Sequence, residues 1–315
     1  MLAANDDFFA PKENLVRASK PVFREGEYTD RGKWMDGWET RRRRTAGHDW
    51  CLIRLGLPGL LRGVVVDTAF FRGNYPDACA LETCEAPSDS SPAELESASW
   101  NEVLPRSALR GDCENPFEVR ASRRATHARF HIFPDGGVAR LRIYGLVAPD
   151  PRTLSRPESI DLAAVEHGGM VLAASDMFFG NRHSLILPGA PLGMHDGWET
   201  RRRRGPGHDW AILRLAGKGR VSRIEVDTRF FKGNAPGSCS VEGLAAPELQ
   251  EGELPSSTAP WNEILTKSPL EPDSVRVFDR EVSPVEPITH ARLNIFPDGG
   301  VARLRLWGRL QPTGA

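Results

Sequence analysis

The stretch DGWETRRRR at Asp36–Arg44 recurs letter for letter at Asp196–Arg204. GHDW follows each copy, at Gly47–Trp50 and Gly207–Trp210. VDT comes next at Val66–Thr68 and Val226–Thr228, and FFRGN at Phe70–Asn74 answers FFKGN at Phe230–Asn234, all displaced by 160 positions. Later matches drift slightly, as small insertions would make them: WNE at Trp100 and Trp261, THAR at Thr126 and Thr289, and IFPDGGVARLR beginning at Ile132 and Ile295. A period this long describes two whole domains, since stacked repeats run about 20 to 50 residues. The seam is expected in APDPRTLSRPES, Ala148–Ser159, where prolines and polar residues interrupt any regular pattern. Placing it near Arg156 gives repeats 1–155 and 156–315.

The matched blocks read as strands. In DWCLIRLGL, Cys51, Ile53 and Leu55 fall on one side of an extended chain and Trp50, Leu52 and Arg54 on the other, both largely apolar, which predicts a central strand. GVVVDTAFF, Gly63–Phe71, is β-branched and aromatic and predicts a second strand. ARFHIF and VARLRIYG flank Pro134, Asp135, Gly136 and Gly137 and predict a hairpin, in which Asp135, like Asp298, makes the turn. Helical signals are confined to Ser91–Leu104 and Arg156–Gly169, with Ser91 and Ser159 as caps. The expected fold is all-β: each half an antiparallel sandwich, of jelly-roll type if its connections are Greek-key.

With 42 acidic residues against 41 basic, the chain has no overall basic field to attract nucleic acid. The first residues carry early acidic groups and no apolar core, so they do not read as a secretory signal, and no run approaches the ~18 apolar residues of a membrane helix. Five cysteines without CxxC spacing read as reduced thiols of a cytoplasmic protein. GxSxG, HExxH and the glycine-rich phosphate loops are missing. Any catalysis must therefore use residues gathered across strands.

Four adjacent arginines on an extended chain point alternately to two sides, so one pair faces something. Their dull duty is pairing with surface carboxylates; their functional one is a planar fork on a ligand carboxylate. His48 and Asp49, with His208 and Asp209, offer proton transfer, although adjacent strand residues diverge unless Gly47 permits a bulge. His127 and His290 occur in both copies and rank second. His131 is Asn294 in the second copy and His195 is Met35 in the first, so neither is needed twice. Asp36 and Glu39, with Asp196 and Glu199, could serve as base and orienting acceptor or neutralise the arginines. Asn74 and Asn234 have turn bonding as their structural role. The candidates include metal-ligand types, but no spacing demands an ion: no cofactor is required, and a divalent metal stays open.

Taken together, DGWETRRRR with GHDW, VDT with FF(R/K)GN, and IFPDGGVARLR, each present twice, resemble the allantoicase (allantoate amidinohydrolase) family over nearly the whole sequence. Within the shared blocks the departure is Lys232 where the first copy has Arg72. The resemblance implies two tandem jelly-roll repeats similar to galactose-binding-like sandwiches, hydrolysis of allantoate to ureidoglycolate and urea in purine degradation, and a homo-oligomer. Nucleic acid and membrane are not implied as partners. For that substrate, Arg41 and Arg43, with Arg201 and Arg203, are expected on the carboxylate. Proton transfer goes to His48 with Asp49 and to His208 with Asp209. Glu39 or Asp36, Glu199 or Asp196, and Asn74 and Asn234 meet water or ureido groups. One site per repeat and one composite site both remain open. The rival readings are a tandem sandwich module that binds a small anionic or sugar ligand without chemistry, and a scaffold that exposes Trp38 and Trp198 as anchors.

Overall fold

The computed structural model describes residues 1–154, 158–249, 252–256 and 258–311. The chain divides into two units, Met1–Ala148 and Pro149–Ala315; Arg156 lies outside the described residues. Repeat 1 contains β1 (Ala3–Ala4), β2 (Tyr28–Thr29), β3 (Gly32–Lys33), β4 (Trp38–Glu39), β5 (Asp49–Asp67), β6 (Ala78–Cys84), helix α1 (Pro92–Glu96), β7 (Asn101–Ala108), β8 (Glu114–Glu118), β9 (Ala125–Phe133), β10 (Gly137–Val138) and β11 (Arg140–Val147). Repeat 2 contains β12 (Ile160–Asp161), β13 (Met170–Ala174), β14 (Trp198–Glu199), β15 (Asp209–Asp227), β16 (Ser238–Leu244), β17 (Asn262–Pro269), β18 (Val275–Phe278), β19 (Ile288–Phe296), β20 (Gly300–Val301) and β21 (Arg303–Leu310).

The two strands expected from DWCLIRLGL and GVVVDTAFF are one strand of 19 residues, β5. Its first half pairs with β1 and β9, and β9 continues the layer through β6 to β7. Its second half pairs with β8 and β11 in the facing layer. Pairing to β9 breaks between Arg54 and Gly59, where the strand passes from one layer to the other. A further shift leaves Arg62 unmatched against β11. That extra residue is what keeps an apolar face inward throughout: Cys51, Ile53 and Leu61 point to the core before it, Val64 and Val66 after it. Between the layers these residues pack with Trp38, Leu81, Leu104, Phe130, Ile132 and Val138. The opposite face of β5 is apolar because it is covered too: Leu52 and Trp50 pack with Cys84, Leu95 of α1 and Trp100. Repeat 2 repeats the plan, with β15 pairing to β13 and β19 and then to β18 and β21. Each unit is an antiparallel sandwich of jelly-roll type.

The hairpin expected around PDGG does not form. β9 pairs with β5 and β6, whereas β11 pairs with the other half of β5. Between them β10 pairs with β4, so the chain crosses to the facing layer instead of doubling back. Asp135 accordingly makes no hairpin turn; its Oδ2 accepts the Arg43 backbone N–H at 2.8 Å, and Asp298 does the same for Arg203 at 2.7 Å. Ser91 caps α1 in a capping box with Glu94. The helix expected after Ser159 is instead the short strand β12, followed by a 3-10 turn at Val165–His167.

The three repeated blocks meet at one phenylalanine. Phe71 is fully buried. A Cβ on Gly137 of PDGG would stand 1.9 Å from its ring and one on Gly37 of DGWET 2.7 Å. Phe231, Gly300 and Gly197 repeat the arrangement at 2.0 and 2.7 Å. The ring of the second phenylalanine in FF(R/K)GN fills the space that the two glycines leave, which is why DGWET, FF(R/K)GN and PDGG occur as a set.

One difference between the repeats was not read from the sequence. The isolated bridges Ala10 to Glu39 and Gly180 to Glu199 are equivalent. They span 29 and 19 residues, so repeat 1 carries ten residues more, and in that excursion lies the β2–β3 hairpin.

Candidate active site

Trp38 and Trp198 are fully buried, and their indole N–H groups donate to the carbonyls of Asp6 and Asp176 at 2.8 Å. They are core residues and not exposed anchors, which removes the scaffold reading. Each fixes the residue after it. Glu39 is held by the β4–β10 pairing and by Ala10, and its side chain turns toward the FFRGN loop, where Asn74 Nδ2 donates to Oε1 at 2.7 Å. Gly137 N–H in turn donates to the Asn74 carbonyl at 2.7 Å, clamping the loop. In repeat 2, Asn234 donates to Glu199 Oε1 at 2.6 Å.

Around Glu39 and Asn74 lies a cavity of about 440 Å³, lined also by Phe9, Phe23, Lys33, Met35, Phe70 and Arg72. Burial pushes the Glu39 carboxyl above the ordinary carboxylate value, and the Asn74 amide holds it part of the way back. Phe70 on the cavity wall has φ 70°, the left-handed region that a bulky residue seldom occupies. It is kept there by its own N–H, which donates to Asp112 Oδ1 at 2.7 Å, while Arg72 Nε reaches Asp112 Oδ2 at 2.9 Å. Phe230 has φ 73° and bonds Asp273 in the same way, at 2.7 Å. A strained residue on the wall of a cavity that joins aromatic side chains to a few polar groups is the kind of feature that clusters at binding sites.

The other sequence candidates have different duties. Asp36 is buried, with Arg140 at 2.7 Å, Arg17 at 3.2 Å and the Val22 N–H at 3.0 Å on its oxygens. Burial would raise its carboxyl, but these donors outweigh it and hold it below the ordinary value. It anchors the start of the excursion that carries β2 and β3; Asp196 bonds Arg303 and the Leu192 N–H equivalently. Arg41 reaches Asp6 at 2.6 Å and Arg43 reaches buried Asp49 at 2.7 Å. Arg201 pairs with Asp176 and Arg203 with Asp209. The forks expected on a ligand therefore grip the protein's own carboxylates. Arg42 and Arg44 are exposed, and among the described residues their side chains have no ion-pair partner. In repeat 2 the run lines a hollow of about 390 Å³ with Ser175 and Asp176.

His48 and Asp49 do not form a dyad. Gly47 at φ 123° turns the chain there, so that Asp49 faces Arg43 and Asn5 while His48 Nε2 lies 2.9 Å from His131 Nδ1. His131 Nε2 lies 2.8 Å from Glu82 Oε2, which Arg129 also holds at 2.8 Å. Burial lowers both imidazoles. Repeat 2 keeps the chain with an amide in the middle: His208 to Asn294 at 3.2 Å, and Asn294 to Glu242 at 2.7 Å, along a cavity of about 380 Å³. His131, Glu82 and Arg129 were missed. The signal was there, since Glu82 and Glu242, and Arg129 and Arg292, match between the copies. His127 is fully buried and His290 nearly so, each bonded through Nδ1 to the preceding threonine hydroxyl at 2.9 Å; they are core histidines. Among the described residues no group of three His, Cys, Asp or Glu is arranged to hold a metal ion.

A duplicated sandwich with a half-buried acid and its amide partner in a small cavity defines a class: a β-sandwich enzyme for a compact polar organic ligand. A family model for the allantoicase repeat matches residues 1–148 and 160–311. The chain belongs to the allantoicase family. It is 48% identical to an allantoicase of Dictyostelium discoideum, over 97% of this chain and 83% of that protein. It is 46% identical to a probable allantoicase of Burkholderia mallei, over 98% and 91%. It superimposes on the crystal structure of Saccharomyces cerevisiae allantoicase with a TM-score of 0.79 at 35% identity, over 97% and 88%. It is a hydrolase acting on allantoate, in purine degradation.

Proposed function

We propose that allantoate is cleaved in the cavity around Glu39 and Asn74, with Glu39 acting first as acid and then as base. The substrate's central carbon bears a carboxylate and two ureido groups. Lys33 and Arg72 at the cavity rim receive the carboxylate, taking the place first expected of Arg41 and Arg43, which do not line this cavity. Asn74 and Glu39 meet the ureido groups. Protonated Glu39 gives its proton to the departing ureido nitrogen as the C–N bond breaks, and urea leaves. The lone pair of the remaining ureido nitrogen forms a C=N bond to the central carbon. Water then adds to that carbon, its electron pair returns the C=N electrons to nitrogen, and the Glu39 carboxylate takes the released proton. Ureidoglycolate results, and Glu39 is again protonated. Such a group typically contributes ~10² to 10⁴-fold, and most when its pKa lies near the working pH.

The observation that supports this reading is the Glu39 carboxyl, raised by burial in a cavity that also offers two cations. The test is urea release from allantoate. Glu39→Gln is expected to lower kcat by about 10² to 10⁴-fold with little change in KM, and Arg72→Ala to raise KM. Full turnover by Glu39→Gln would refute the assignment. In repeat 1, Asp49 fixes Arg43 and His48 closes a chain through His131 to Glu82; neither His48 nor Asp49 lines this cavity.

The same reading places the chain in the cytoplasm as a homo-oligomer. Five unpaired cysteines support a reducing compartment. Strand β18, paired only with β15 among the described residues and exposing Val275 and Val277, supports association through a sheet edge. Light scattering of the purified chain tests it; a monomer at micromolar concentration would rule out the assembly.

A further inference from the structure

The repeats are alike in their shared blocks and unlike at the cavity. In repeat 1 the excursion between Arg17 and Asp36 brings β2 and β3 over Glu39. Phe23 packs on Phe70 with ring centroids 5.6 Å apart, Lys33 Nζ lies 4.5 Å from the Phe23 ring, and Arg31 donates to the Phe8 carbonyl at 2.8 Å. Met35 is buried beneath. In repeat 2 the corresponding chain is ten residues shorter. Met194 and His195 stand where repeat 1 has Trp34 and Met35. Phe178, Phe179 and Leu192 are 66, 63 and 82% exposed, and Phe230, the counterpart of Phe70, is 40% exposed. Asn234 contacts the Met194 sulfur at 3.7 Å, so a thioether occupies the neighbourhood of the pair. The counterpart of Lys33 is missing. Among the described residues, the Glu199–Asn234 pair lacks the counterparts of the Phe23 cover and of the Lys33 ammonium, both carried by the excursion that repeat 2 does not have.

We infer that the β2–β3 excursion makes repeat 1 the catalytic repeat, and that the Glu199–Asn234 pair of repeat 2 holds its loop without turning over substrate. The inference rests on the proposed role of Glu39, and the two fail in different ways. The hairpin acts by positioning. It closes over the acid, and it supplies Lys33, whose ammonium meets the anionic end of the ligand.

The experiment compares Glu39→Gln and Glu199→Gln in the full-length protein, with urea release and a thermal unfolding curve for each. Loss of about 10²-fold or more in the first and near-full turnover in the second supports the inference. Comparable losses in both, at wild-type thermal stability, overturn it and leave the acid–amide reading standing. Full turnover by both overturns that reading as well. Two variants in the excursion, one before β2 and one in β3, separate positioning from folding. Phe23→Ala, which opens the cover, is expected to lower kcat and shift the high-pH limb of its pH profile to lower pH, because water reaches Glu39. Lys33→Ala is expected to raise KM about tenfold or more while leaving kcat near wild type. Wild-type profiles and KM in both would overturn the role of the hairpin.

Discussion

At the scale of single residues, Glu39 and Asp36 show how environment divides two carboxylates three positions apart. Glu39 has one amide donor and a cavity wall, so burial wins and its proton is held more tightly. Ionising it disfavours the folded state, and the stability tied to the protonated form is lost as pH rises through its raised value. As an acid it fails over the same range, so kcat/KM falls on the alkaline side. Asn74→Ala removes the donor that lowers Glu39, and the fall is expected to begin at higher pH in a slower enzyme; a fall beginning lower would contradict the assignment. Asp36 has the opposite sign. Its lowered value gives stability above the ordinary aspartate pKa, lost as pH falls through the folded value. Arg140→Met leaves that buried carboxylate without its main partner and is expected to destabilise repeat 1 by about 3 to 5 kcal/mol in urea titrations. The sequence showed Glu39 and Asn74 as twice-present candidates, and they do meet. It could not show that Arg41 and Arg43 face Asp6 and Asp49, because an arginine paired within the chain and one waiting for a ligand look the same in sequence. His131 was passed over because the second copy has asparagine there. Asparagine keeps the hydrogen bond and loses only the titration, so a difference between copies marked a change of chemistry and not an idle position.

At the scale of elements, alternation located β5, β9 and β11 but misassigned their partners. Period 2 reports which face of a strand is buried and is silent on which neighbour it pairs with. The PDGG residues looked like a turn, yet Gly137 is there because Phe71 needs the space of its missing side chain. Gly137→Ala is expected to be strongly destabilising, since its Cβ would meet that ring at 1.9 Å. A substitution tolerated at wild-type melting temperature would mean that the ring can move. Helix α1 was legible from its cap. Ser91→Ala removes the acceptor of the capping box and is expected to weaken the outer cluster around Leu95 by about 1 kcal/mol in chemical denaturation. The β2–β3 excursion is not legible in the repeated blocks, because it has no counterpart in the second copy and ends where the match at Asp36 begins.

At the scale of the whole chain, duplication gave the architecture at once: a displacement of 160 positions held over several blocks can only be two domains. Each repeat has its own core. Phe130→Ala and its counterpart Leu293→Ala are each expected to destabilise by about 2 to 5 kcal/mol. Hydrogen exchange should then speed up within the mutated repeat and stay at wild-type rates in the other. Faster exchange in both would show that the cores are coupled. Within one repeat no such independence exists. Because β5 is the inner strand of one layer up to Arg54 and of the other from Gly59 onward, it is a spine common to both. New chain termini opened between those residues should uncouple the two layers, and a circular permutant cut there should refold far more slowly than one cut at an exposed turn such as Asp89.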